Sequence, residues 1–283
     1  MALPTRLGQR MHITENSSSD IQWKSLDHQG NTWFSAKFSL YDFKAVETSD
    51  EQISTRITKL FKACARQDSE FLSQWKGQKI ETQLDFDRNW GLGSSSSLIY
   101  CLSEWADVSP YQLLMDTFGG SGYDIACAGA DGPILYQIKD YVISVSESSF
   151  EPSFSDQLFF VHLGKKQDSQ EAVKNFKKNG KFTTLDIEEA SRLTKEFESC
   201  RDIVTFKKIM AEHEMLVGKI IDKTPIKLTD FGDFNGCIKS LGAWGGDFVL
   251  AASEESENYV KEYFNTKGLI DVVQYDQLIL KRN

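Results

Sequence analysis

The stretch from Arg88 to Leu102, RNWGLGSSSSLIYCL, places two glycines and four consecutive serines directly ahead of an apolar run at helical spacing. Upstream, Ile80, Leu84 and Phe86 lie in the strand-like run IETQLDFD. Downstream, Leu98, Ile99, Leu102, Trp105 and Ala106 mark one face of a helix. This order of strand, glycine loop and helix constrains the chain strongly. The loop has to turn sharply, and the helix then presents unpaired N–H groups and a positive dipole end to whatever lies before it. Phosphate is the natural guest of such a cradle, and the serines add hydroxyl donors or a ligand for a magnesium ion. A G-x-G-x-x-G fingerprint fails because Ser96 stands at its third glycine, and the lysine of a P-loop is absent. By itself the stretch fits a plain glycine turn equally well.

The remaining periodicities supply the frame. Thr32 to Phe43 is aromatic-rich with partial alternation, as in a half-buried strand. Ser49 followed by Gln52 predicts a capping box for a helix over Asp50 to Gln67, with Ile53, Ile57, Leu60 and Phe61 on its apolar face. Ser109-Pro110 opens another helix, which Gly119 to Gly122 closes. Strands follow at Ile134 to Ile138 and Val142 to Val145, and the polar segment from Ser146 marks a boundary. The second half reads as strand Gln157 to Leu163, helices Ser169 to Lys177, Thr184 to Glu198 and Asp202 to Ile221, strands Cys237 to Leu241 and Phe248 to Ala252, helix Glu255 to Asn265 and strand Ile270 to Gln274. In outline this is βαββαβ, the ferredoxin-like order with an expanded first crossover. A chain of 283 residues, 40% of them hydrophobic, carries more than one small core. The expectation is two domains, 1–150 for nucleotide or phosphate and 151–283 ferredoxin-like.

A net charge of -9 argues against nucleic acid or an anionic membrane as the main partner, while a local site for a small anion stays open. Cys64, Cys101, Cys127, Cys200 and Cys237 are scattered and form no CxxC pair, which indicates neither a disulfide framework nor a zinc site. Reduced thiols, no apolar run of membrane-spanning length and a start, MALPTRLGQRMH, without an apolar signal region lead to an expected cytoplasmic location. His12, His28, His162 and His213 are dispersed without triad or metal spacing and are assigned no chemistry. Lys165 and Lys166 fit either a reach toward substrate phosphate or carboxylate or, more simply, a solvated turn.

Two further glycine-centred stretches stand out. In GGSGYDIACAGADGPILY, Gly119 to Tyr136, Asp124 sits among small residues: it either caps a short helix starting at Ile125 or, beside a bound alcohol, accepts its proton. KSLGAWGGDFVLAA, Lys239 to Ala252, reads as strand, glycine turn and strand, which a tight hairpin accounts for except that Trp244 is odd at its apex.

Taken together and in order, these stretches resemble the GHMP kinases, the family of galactokinase, homoserine kinase, mevalonate kinase and phosphomevalonate kinase. NWGLGSSSS is similar to that family's P-x-x-x-G-L-G-S-S-A phosphate loop, SGYDIA at Ser121 to Ala126 to the SG-x-D segment of mevalonate kinases, and GAWGGDFVLA at Gly242 to Ala251 to the C-terminal GAGGGG motif, with Trp244 and Asp247 as departures. The GYDIA wording resembles a bacterial mevalonate-kinase-like branch.

The resemblance implies an α+β, two-domain GHMP kinase fold: an N-terminal α/β domain lacking its first strands, then a ferredoxin-like C-terminal domain. MALPTRLGQ resembles the sequence just after the family's opening lysine and GE segment, so either the start is assigned too late or the first motif is absent. It further implies ATP and Mg2+ as cofactors and phosphorylation of a small-molecule hydroxyl, mevalonate foremost. Phosphomevalonate, a sugar, or a non-catalytic nucleotide- or metabolite-binding homologue are the alternatives. Asp124 would be the catalytic residue. Gly91, Leu92, Gly93, Ser94, Ser95 and Ser96 would hold the ATP phosphates, and Ser121, Gly122, Gly242, Ala243, Gly245 and Gly246 would shape the substrate loops. Ser94 or Ser95, with Asp116 as the nearest upstream acid, would meet the metal. The expected partner is a small molecule, without nucleic acid or membrane, and a homodimer stays open.

Overall fold

The computed structural model describes residues 1–167 and 169–282, with Ser169 and Gln170 by backbone alone. Strand alternation builds the first sheet from β1 (Gln9–Asn16), β2 (Asp20–Leu26), β3 (Thr32–Ser39) and β4 (Ala45–Thr48); after helix α1 (Glu51–Gln67) comes β5 (Gly77–Leu84). The order is β1-β5-β2-β3-β4, with β2 and β5 parallel and the other pairs antiparallel. On β2, Ile21, Trp23 and Ser25 point inward while Gln22 and Lys24 face out, the period of two that a one-sided sheet requires. Helix α1 covers this face with Ile57, Leu60, Phe61 and Cys64, and the Phe61 ring meets Trp23 edge-on at 5.8 Å and Phe38 at 5.6 Å.

Three short helices follow, α2 (Ser94–Ala106), α3 (Pro110–Thr117) and α4 (Tyr123–Ala128), then the hairpin β6 (Ile134–Lys139) and β7 (Val142–Glu147). The second half runs β8 (Leu158–His162), α5 (Ser169–Asn179), α6 (Thr184–Ser199), α7 (Ile203–Ile221), α8 (Ile226–Thr229), β9 (Cys237–Ser240), β10 (Phe248–Ala252), α9 (Glu257–Thr266), β11 (Val272–Gln274) and α10 (Tyr275–Leu278). Its antiparallel sheet, ordered β11-β8-β10-β9, has the ferredoxin-like pattern, with α5 to α8 forming the expanded first crossover. Every residue of β8 and β10 is buried, because the sheet is covered on both faces. Phe160, Leu250, Leu193 and Phe206 pack on one side, and Phe159, Val249, Val260 and Phe264 on the other.

Where the sequence expectations differ, the causes are local. Asp50, not Ser49, caps α1, its carboxylate accepting from the Gln52 and Ile53 N–H groups at 2.9 and 3.0 Å. The β3 strand stops at Ser39, where the chain turns so that the Phe43 N–H reaches the Ser39 carbonyl at 3.0 Å. Strands β1 and β2 escaped the sequence reading because each carries only two or three apolar residues among polar ones, Met11 and Ile13 on β1 and Ile21, Trp23 and Leu26 on β2. The first hydrophobic core uses residues between Ile21 and Ile125, and the other two use residues from Phe150 onward. The opening segment belongs to neither half alone: Ala2 pairs with Ile134, Thr5 with Ile279, and Met1, Leu3 and Leu7 pack on the second core. Among the described residues no helix is long and apolar enough to cross a membrane.

Candidate active site

The site begins with backbone. Gly91 and Gly93 take φ values of +68° and +76°, the left-handed region in which a side chain is strained. Gly93 is also the N-cap of α2 and offers no side chain to the helix end. The N–H groups of Ser94, Ser95 and Ser96 precede the first intrahelical bond, which the Ser97 N–H makes to the Gly93 carbonyl at 2.9 Å. An anion at this end would therefore meet unpaired donors and the positive end of the helix dipole. The Ser97 hydroxyl donates to Gln9 Oε1 at 2.9 Å and ties the loop to β1.

The loop is gripped from the other half of the molecule as well. Lys166 Nζ donates to the Arg88 carbonyl at 2.8 Å, and His162 Nε2 lies 3.2 Å from the Asn89 carbonyl oxygen. Trp90 meets the Phe248 ring edge-on at 5.6 Å, and the buried His162 ring lies 5.1 Å from the same phenylalanine. The Asp247 carboxylate presses on the loop directly, since a Cβ built on Gly91 would lie 2.2 Å from Asp247 Oδ1. Sequence reading assigned His162 no chemistry and favoured a solvated turn for Lys166. Both act on a loop distant in sequence, and no local pattern signals that.

Asp124 reaches the same place. Helix α4 starts at Tyr123 with Gly122 as its N-cap, at φ +86°, so Asp124 sits inside the first turn and does not cap the helix. Its carboxylate opens onto a cavity of about 810 Å3 whose wall also includes Gly91, Leu92, Gly93, Gly242 and Asp247. The side chain is open to the cavity, yet the surrounding protein removes much of its hydration. That desolvation raises its pKa, and the neighbouring Tyr123 hydroxyl opposes the rise. Burial likewise lifts the Tyr123 hydroxyl, assisted by the charges of Asp124 and Asp247, and moves the Cys127 thiol up to about 12, where it is inert as a nucleophile. The lining also touches the edge of the second core, at the nearly fully buried Phe150, Phe160, Phe206 and Leu250.

Other expected residues lie outside the cavity lining. Ser94, Ser95 and Ser96 stand on the first turn of α2 outside the lining, and of the four serines only Ser97 is on the wall. Ser121 accepts a hydrogen bond at its carbonyl from the Tyr136 hydroxyl, and Gly122 packs against Tyr111 and Tyr136. Ala243, Gly245 and Gly246 form the β9–β10 turn, where a Cβ on Gly246 would lie 2.9 Å from the Lys165 carbonyl oxygen. Trp244 is buried rather than displayed at the turn, which accounts for an indole at that position.

Asp116 is not brought to the cavity. It lies on α3, accepts from Gln112 Nε2 at 2.7 Å and pairs with Arg66 at 3.8 Å. Among the described residues no group of three histidine, cysteine or acidic side chains could hold a metal unaided. Magnesium, however, usually takes one or two carboxylates and completes its shell with phosphate oxygens and water. Asp124 and Asp247 are the acidic residues that line the cavity with Gly91, and the carboxylate of either is a hard oxygen donor of the kind magnesium takes.

No protein-family model matches the chain, and no curated protein matches it. Solved structures do. It is similar to the mevalonate kinase of Methanococcus jannaschii at 18% identity and a TM-score of 0.70, over 98% of this chain and 90% of that one. A D-glycero-D-manno-heptose 1-phosphate kinase from Bacteroides thetaiotaomicron superposes at 16% identity and a TM-score of 0.66, over 99% and 87% of the two chains. Streptococcus pneumoniae phosphomevalonate kinase, in complex with phosphomevalonate and AMPPNP, does so at 17% identity and a TM-score of 0.64, over 94% and 90%. The chain thus has, over nearly its whole length, the fold of the GHMP kinases.

Proposed function

We propose that this protein transfers the γ-phosphoryl group of ATP to a hydroxyl of a small-molecule metabolite. One observation carries the reading: the glycine loop at the start of α2, Asp124 and the Gly242 turn, far apart in sequence, line a single cavity. In the reaction a bond forms between the acceptor oxygen and the γ-phosphorus as the bond to the β–γ bridging oxygen breaks, releasing ADP. The acceptor proton passes to the Asp124 carboxylate, whose raised pKa makes it a better acceptor than an exposed aspartate. Backbone donors of Gly91 to Ser96 would hold the phosphates and stabilise charge on the transferring group. A magnesium ion, when bound, would neutralise phosphate charge; Asp247 would be the carboxylate to hold it, leaving Asp124 to take the proton.

Mevalonate is the leading acceptor. It is supported by the sequence resemblance and by the likeness to mevalonate kinases. The test is product mass spectrometry after incubation with ATP, magnesium and, separately, mevalonate, phosphomevalonate and a hexose. A gain of one phosphate on a single acceptor is expected, with at least about a 100-fold loss of turnover in Asp124→Asn and nucleotide binding largely kept. Equal turnover in the variant would remove Asp124 from the chemistry. No product from any acceptor, with ATP still bound, would favour a nucleotide-binding protein without transferase activity.

A further inference from the structure

The β9–β10 turn differs from a plain glycine turn in carrying a carboxylate toward the phosphate loop. Asp247 has φ +50°, a conformation that asparagine, aspartate and glycine tolerate best. Its backbone is fully used: the N–H donates to the Lys165 carbonyl and the carbonyl accepts from the Leu163 N–H, both at 2.7 Å. These bonds hold the turn whatever the side chain is. The carboxylate is thus free for another task; its Oδ1 accepts from the Gln167 N–H at 3.2 Å and otherwise leans on Gly91. His162 and Lys166, the neighbours whose charge acts on it, are engaged on the Asn89 and Arg88 carbonyls.

A nucleotide whose phosphates lie on the Gly91 to Ser96 backbone would bring negative oxygens against that carboxylate. Uncomplexed ATP meets repulsion there. With a divalent cation between them, the same oxygen becomes a ligand and the interaction changes sign.

Resting on the kinase reading above, we propose that Asp247 is a specificity-determining residue for the charge state of the nucleotide, rejecting free ATP and admitting the Mg2+-bound form. It takes the place at the phosphate loop that Asp116, committed to Arg66 and Gln112, does not fill.

The experiment is calorimetric titration of the full chain with ATP, once in EDTA and once in excess magnesium, and it requires no turnover. Wild type, Asp247→Asn and Asp247→Gly are compared. Both substitutions suit a positive φ, and asparagine keeps an acceptor for the Gln167 N–H, so thermal melting should show all three folded. In wild type, magnesium should tighten ATP binding at least about tenfold more than in either variant, and metal-free ATP should bind the variants about tenfold better than wild type. An unchanged magnesium preference in both variants, with magnesium ATP still bound, would overturn this assignment and leave the kinase reading standing. Failure of wild type to bind ATP in magnesium would overturn both.

Discussion

At position 91 a side chain would collide with a carboxylate, whereas at position 93 it would meet nothing within 4 Å. Both glycines have positive φ, so alanine at either pays backbone strain of about 1–2 kcal/mol. Gly91→Ala adds a clash with Asp247 that Gly93→Ala lacks. Urea unfolding should therefore rank Gly91→Ala as the more destabilised, and Asp247→Gly in the same chain should recover the difference. The glycines themselves are legible in sequence, because positive φ is a local property. Which of them is crowded depends on a turn contributed by the other half of the chain.

At the scale of elements, helix α7 meets β9 through a buried polar set. Glu214 accepts from the Ser240 N–H at 3.0 and 3.1 Å and pairs with Lys239 at 3.8 Å. Beside it, His213 Nδ1 is buried without a partner, and desolvation first, then the Lys239 charge, depresses the imidazole pKa to about 3 from 6.5. The folded state thus holds a neutral ring. Its contribution to stability is complete above pH 6.5 and is lost as the pH falls toward 3, because the unfolded chain takes up the proton first. Urea unfolding across this range should show stability falling by up to about 1.4 kcal/mol per pH unit from this group, and His213→Gln should flatten that slope. The helices α6, α7 and α9 were readable from apolar spacing alone. Their buried polar neighbours were not, since a histidine or glutamate on a helix looks the same in sequence whether it faces water or a sheet.

For the molecule as a whole, the 88–96 glycine loop is a joint between two halves. His162 and Lys166 bond to the Asn89 and Arg88 carbonyls, and Trp90 packs on Phe248. A nucleotide bound there should stabilise the whole chain, not one half: at 100 times its dissociation constant, magnesium ATP should add about 2.7 kcal/mol. A single cooperative rise in melting temperature is expected for wild type. His162→Ala should show a smaller rise at equal ligand, with His162→Gln, which restores a donor to Asn89, intermediate; equal shifts in all three would remove His162 from the loop's support. The ferredoxin-like sheet, the strand–loop–helix unit and the cavity glycines were fixed by the sequence itself, because period, capping and left-handed backbone act within a few residues. The tertiary structure decided the rest: the pairing of the apolar-poor strands β1 and β2, the departure of Asp116 toward Arg66, and the approach of Asp247 to Gly91. Those depend on which surfaces the packed cores bring face to face, and contacts between distant segments leave no periodic trace along the chain.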